Sequence, residues 1–190
     1  GQLESDRVKS IAIEVEGAAA ELDMKPITAA VLAGFMRAFS SSVNMVNAPF
    51  LAKDRGLDVR EVRHDREGDY HTLVRVSVAT EDGERSVAGT LFGNATPRLV
   101  EIYGIKIEAD LDGHMLYIVN RDEPGFIGRL GSTLGEANVN IATFHLGRRE
   151  ARAGGEAVLL LSLDGAVEEP VLWKLCQLAG VKKVKSLKFD

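Results

Sequence analysis

Hydrophobic positions recur along this chain with two periods, and the switches between them mark its elements. From Arg7 to Gly17, Val8, Ile11, Ile13 and Val15 are interleaved with Lys9, Ser10, Glu14 and Glu16. Apart from a slip near Ser10, this is the alternation of a strand with one buried face. From Pro26 to Phe39 the period lengthens, setting Ile27, Val31, Leu32, Phe35 and Phe39 on one helical face. Ser40-Ser41-Ser42 interrupts that helix and offers N-caps to a second one, residues 43–55, which ends at Gly56. Pro49 marks either a first turn or a kink in it.

From Leu57 the period falls to two. Strands are predicted over 58–62, 71–80, 86–92, 98–103 and 105–111, with a polar loop at 63–70 and hairpin turns at Glu81-Asp82-Gly83 and Gly104. A strand, two helices and a meander of strands predict an α/β unit with a mostly antiparallel sheet. Asp112-Gly113 is a turn and a natural boundary. Beyond it the order is βαββαβ, with strands 114–120, 140–148, 156–163 and 181–189 and helices 124–136 and 168–179. That is the order of the ferredoxin-like split βαβ unit. The expected fold is therefore α+β in two domains, residues 1–112 and 113–190.

Composition narrows the function without naming it. A net charge of −5 with no block of Lys or Arg argues against nucleic acid and against an anionic membrane surface. No apolar run approaches the ~20 residues that span a bilayer. The single Cys176 excludes an internal disulfide framework and fits a reducing cytoplasm. The chain begins Gly1-Gln2-Leu3-Glu4, without an initiator Met or a signal peptide, so part of a longer cytoplasmic protein is expected. No G-x-G-x-x-G or P-loop follows a strand, and no G-x-S-x-G elbow occurs. His64, His71, His114 and His145 lack metal-ligand spacing. No catalytic residue and no metal are expected. Asp110-x-Asp112-Gly113 resembles the start of a calcium loop, but Arg121 stands where the closing Glu is needed, so a β-turn is expected. Gly128, Gly131 and Gly135 line one helix and predict close helix–sheet packing.

The stretch from Val119 to Asn140 holds the candidate chemistry. An apolar run ends at Asn120, a polar turn follows, and Pro124-Gly125 opens a helix with Ile127, Leu130 and Leu134 on one face. A helix N-terminus presents free N–H groups to a carboxylate or phosphate. Gly125, Phe126 and Ile127 form this end. Asn120 and Asp122 stand beside it with donors and acceptors for an ammonium and a hydroxyl. This is the pattern of a small amino-acid sensor. The plainer alternative is local: Asp122 caps the helix and Asn140 ends a turn. Arg98, with Asn94 and Thr96 upstream, lies at a turn between strands and is either a solvated charge or an anion ligand.

On these residues the chain resembles the regulatory part of the long-form D-3-phosphoglycerate dehydrogenases. DEPGFIG (122–128) followed by Ala137-Asn138-Val139-Asn140-Ile141 resembles an ACT domain. VNAPFLAKDRG (46–56) and GTLFG (89–93) resemble the intervening, or allosteric substrate binding, domain. The resemblance implies NAD-dependent oxidation of 3-phosphoglycerate, the first step of serine synthesis, with NAD held in catalytic domains outside this chain. It implies a homo-oligomer that binds L-serine as feedback inhibitor at ACT–ACT contacts. Asn120, Asp122 and the turn Gly125, Phe126, Ile127 would come from one chain and Asn140 from its neighbour. Some members carry His or Tyr where Asn120 stands. Arg98 matches one of a cluster of basic residues that binds a phosphorylated anion, while Asp110 and Ser162 stand at two further basic positions. Two other readings remain: a module like the beta subunit of an L-serine dehydratase, and an oligomerisation domain that binds no ligand.

Overall fold

The computed structural model describes residues 8–65, 68–81, 83–93, 95–150 and 154–189. They form two compact units, divided between Tyr103 and Gly104. Among the described residues no helix is long and apolar enough to cross a membrane.

The first unit holds β1 (Ser10–Gly17), α1 (Met24–Met36), α2 (Ala48–Asp54), β2 (Asp58–His64), β3 (Thr72–Thr80), β4 (Gly83–Phe92) and β5 (Thr96–Ile102). Its strands run in the order β2-β1-β3-β4-β5. β1 and β2 are parallel, because both helices lie between them in sequence and carry the chain back across the sheet. The other pairings are antiparallel. Ile11, Ile13 and Val15 of β1 pack under Met24, Leu32, Ala33 and Met36 of α1 and Ala48 and Ala52 of α2.

Local details differ from the pattern reading. α1 starts earlier, at Met24, since Asp23 accepts from Lys25 N and caps it at 3.1 Å. It ends at Met36, so Phe39 leaves the core face and Ala33 and Met36 take it. The serines do not cap α2. Asn44 and Asn47 bond reciprocally instead, Asn44 Oδ1 accepting from Val46 N and Asn47 N, and this turn sets up the helix. α2 is correspondingly short, with Pro49 in its first turn, where a missing N–H costs nothing. Tyr103 and Gly104 both have positive φ (52° and 76°), the geometry of a two-residue hairpin turn.

The second unit holds β6 (Ile105–Ala109), β7 (His114–Arg121), α3 (Phe126–Glu136), β8 (Ile141–Arg148), β9 (Glu156–Leu163), α4 (Glu169–Cys176) and β10 (Val181–Lys188). β7 to β10 form an antiparallel sheet in the order β10-β7-β9-β8. Leu116 and Ile118 of β7 and Leu159, Leu161 and Leu163 of β9 share a core with Phe126, Leu130 and Leu134 of α3 and Leu175 of α4. β6 passes close over Gly147 of β8. A Cβ there would stand 2.5 Å from the Lys106 carbonyl oxygen, so only glycine admits the approach.

α3 begins two residues later than its sequence suggests. Gly125 is the N-cap, in the left-handed conformation (φ 81°), and Pro124 stays in the turn before it. Starting the helix at Phe126 rotates the buried stripe to Phe126, Leu130 and Leu134, four residues apart each time. Ile127 is left 52% exposed rather than in the core. Gly128, Gly131 and Gly135 do not make the expected close packing either. A Cβ at each would meet nothing within 4 Å, because all three lie off the buried stripe.

Candidate functional site

The ladder across the second sheet places the candidate residues. Asn120 of β7 stands opposite Ala157 of β9, and Ala157 stands opposite Arg148 of β8. Residues directly opposite share a face. Asn120, Ala157 and Arg148 therefore form one row on the face that carries α3 and α4, with the two outer Cα atoms about 10 Å apart at ~4.8 Å per strand. Ala157, the small residue between them, is fully buried.

The turn after β7 closes over this row. It is tied down by backbone bonds: Arg121 N donates to Gly180 O, Asp122 N to Gly155 O, and Gly154 N to Asp122 O, at 2.8–2.9 Å. Its side chains are less well satisfied. Asn120 is 2% exposed, and its Nδ2 donates to Arg121 O at 2.6 Å, but its buried Oδ1 accepts from no group. Asp122 does not cap α3, which has no side-chain cap at all. Arg148 Nε approaches Asp122 Oδ2 to 2.8 Å, with the Asp122 side chain 16% exposed and that of Arg148 52%. Asp122 Oδ2 nevertheless accepts no hydrogen bond, so this is a charge contact off the N–H axis rather than a directed bond. Beside it, the start of α3 adds the positive end of the helix dipole.

The local alternative for Asp122 thus fails on geometry. That for Asn140 holds in part, since Asn140 Nδ2 donates to Asp164 Oδ2 at 2.7 Å and ties the start of β8 to the loop after β9. Asn120 and Asp122 come together, whereas Asn140 lies at the other end of the sheet. Ile141 pairs with Leu163 and Asn120 with Ala157. From Ala157 to Leu163 along β9 is about 20 Å, at ~3.3 Å per residue. No single small molecule touches both ends within one chain. The pattern reading passed over Arg148. Its signal was its place at the end of a strand two positions from the hairpin, which has meaning only once the register is known.

In the first unit, Arg98 stands opposite Thr90 on β4, half-buried, with its guanidinium carbon 6.0 Å from the centre of the Phe92 ring. Asn94 lies outside the described residues. Asp110 and Ser162 belong to the second unit. The same first unit has a cleft of about 650 Å³ at the ends of β1 and β2, lined by Arg63, His64, Asp65, Asp69 and His71 among others. Charges of both signs line it, so its chemistry selects no ligand class.

Comparison with known proteins gives one answer. Residues 1–103 match the D-3-phosphoglycerate dehydrogenase intervening domain and residues 114–180 the ACT domain. The chain is 36% identical over 185 residues to the D-3-phosphoglycerate dehydrogenase of Bacillus subtilis (strain 168), covering 97% of this chain and 35% of that protein. To that of Synechocystis sp. it is 33% identical over 190 residues, covering 99% and 34%. To that of Methanocaldococcus jannaschii it is 34% identical over 144 residues, covering 76% and 27%. The chain spans about a third of the length of these relatives.

Proposed function

This chain belongs to the D-3-phosphoglycerate dehydrogenase family by its intervening domain, with an ACT domain after it, and from that premise we propose that it is the regulatory part of such an enzyme, binding L-serine between the ACT domains of two copies. The observation that carries the reading is the buried Asn120 Oδ1 without a partner, two residues from a carboxylate and six before the first residue of α3. A buried acceptor left unpaired costs about 1–3 kcal/mol, and such exceptions in folded proteins call for an explanation. An α-amino acid supplies what the place lacks. Its ammonium donates to Asn120 Oδ1 and Asp122, and its carboxylate accepts from N–H groups at the start of α3.

The two edges of the sheet support a site shared by two chains. β10 carries Lys182, Lys183, Lys185 and Lys188, a run of charge that discourages pairing along that edge. β8, the other edge, exposes Phe144 and Leu146. An antiparallel contact of β8 with its own copy, centred near Phe144, would bring Asn140 of the partner subunit beside Arg148. It also makes one eight-stranded sheet from two. A ligand held by both chains stabilises the state in which they meet, which is how serine would bias the enzyme.

The remaining parts of the proposal concern the whole protein. It oxidises 3-phosphoglycerate with NAD bound in domains outside this chain, and its intervening domain binds a phosphorylated substrate anion through Arg98. Calorimetry of the 190-residue chain tests the central claim. L-serine should bind, glycine more weakly for want of the hydroxyl, and D-serine not at all. Equal heats from L- and D-serine would refute it.

A further inference from the structure

The contact between Arg148 and Asp122 has a consequence for how a zwitterion enters. Asn120, the residue with the unpaired oxygen, is buried, and Arg148 is the most exposed member of the row above it. The guanidinium meets Asp122 through Nε, and the Arg148 side chain is 52% exposed. The contact is close but off-axis, so it is held by charge and gives up no directed hydrogen bond when it parts. An amino acid carries the two charges needed to replace each half of this pair, and since Nε and Oδ2 stand 2.8 Å apart the pair must open to admit it.

We propose that Arg148 shares the ligand carboxylate with the N–H groups at the start of α3, and that an α-amino acid zwitterion inserts into the Asp122–Arg148 ion pair. The inference rests on the effector-site reading above and extends it. In the ligand-free state Arg148 neutralises Asp122 and covers Asn120. On binding, the ligand ammonium takes over Asp122, and the released guanidinium turns an edge of its planar N–H fork to the ligand carboxylate. One ion pair becomes two, with total charge unchanged. Arg suits this better than Lys, because its fork matches both oxygens of a carboxylate. The arrangement selects for ligands with both charges. An amine without a carboxylate must displace Arg148 and receives nothing from it.

Calorimetry with L-serine, L-serinamide and ethanolamine on the wild-type chain and on Arg148→Gln and Arg148→Lys separates the possibilities. Below neutral pH all three ligands are ammonium ions and only serine keeps the carboxylate. Wild type should prefer L-serine to L-serinamide by about tenfold or more, the size of a charge-assisted bond lost. In Arg148→Gln that preference should fall several-fold, to what the N–H groups at the start of α3 sustain, and Arg148→Lys should restore part of it. A preference kept in full by Arg148→Gln overturns the proposal. So does tighter binding of all three ligands by Arg148→Gln, which would make Arg148 a competitor of the ammonium and nothing more. If no member of the panel binds to wild type, the effector site itself fails, and this inference with it. Arg148 is half-exposed and outside the core, and an unchanged thermal midpoint in both variants checks that the fold is intact.

Discussion

If the serine site is divided between two chains, lesions in its two halves should complement each other. Asp122→Ala removes the carboxylate from one half and Asn140→Ala the amide from the other. Within a chain these residues lie at opposite ends of the sheet, about 20 Å apart along the strands. Each substitution alone damages both sites of a C2 pair. Loss of a buried ligand partner costs about 1–3 kcal/mol, or roughly tenfold in affinity. Mixing the two variants in equal amounts changes the count. With random exchange about half the pairs are mixed, and in each mixed pair one site carries both lesions and the other carries none. About one quarter of the wild-type sites should therefore return at wild-type affinity. Titration calorimetry on each variant and on a mixture annealed to equilibrium reads this directly. A mixture that behaves as the average of its components, while sedimentation shows that subunits have exchanged, would refute a shared site. If Asn140→Ala binds like wild type, Asn140 takes no part.

Three further predictions follow from other parts of the molecule. Gly147→Ala should destabilise the second unit by about 1–3 kcal/mol, because its Cβ would stand 2.5 Å from the Lys106 backbone oxygen and 2.7 Å from Ile105 Cγ2; an unchanged midpoint in a urea melt would show that β6 does not pack there. The Glu156 carboxyl is held below its ordinary value of 4.5 by the hydrogen bond from Lys182 and then that from Arg149, against burial, which pushes it up. A carboxylate with a lowered folded pKa adds stability that is full above its unfolded value and is lost as pH falls through the folded one. The stability advantage of wild type over Glu156→Gln should thus be constant near neutrality and shrink below pH 4.5; a gap that does not change down to the acid transition contradicts the assignment. Finally, Arg98→Ala should weaken binding of 3-phosphohydroxypyruvate to the chain by removing a charge-assisted donor, and equal binding by the two proteins would take Arg98 out of that site.

Periodicity was enough to lay out most of the elements, because a buried face forces apolar residues to recur at two or at 3.6 positions whatever lies opposite. The βαββαβ order from His114 to Lys188 is readable in this way, and so is the run of strands after Leu57. The motif around Asp122 was equally legible as a polar turn before a helix. Phase was less secure. Whether Ile127 or Phe126 belongs to the core depends on where α3 starts, and the left-handed Gly125 decides that, with no trace in the hydrophobic pattern. The role of the serines before α2 was lost for a like reason: Asn44 and Asn47 compete for the same turn and win by bonding to each other.

What the sequence determined by itself was the kind and order of the elements and the residue types at the candidate site. Only the tertiary structure decided which of those residues meet. Neighbours across a sheet are set by strand register, and register joins positions far apart in the chain. Hence Asn120 shares a row with Arg148, 28 positions on, while Asn140, eight positions before Arg148, falls at the far end of the sheet. The pairing of β1 with β2 in parallel, across two intervening helices, is a choice of the same kind. Local periodicity fixes which face a side chain takes, but the partner on that face is fixed by hydrogen bonds between strands, and those form only when the whole sheet does.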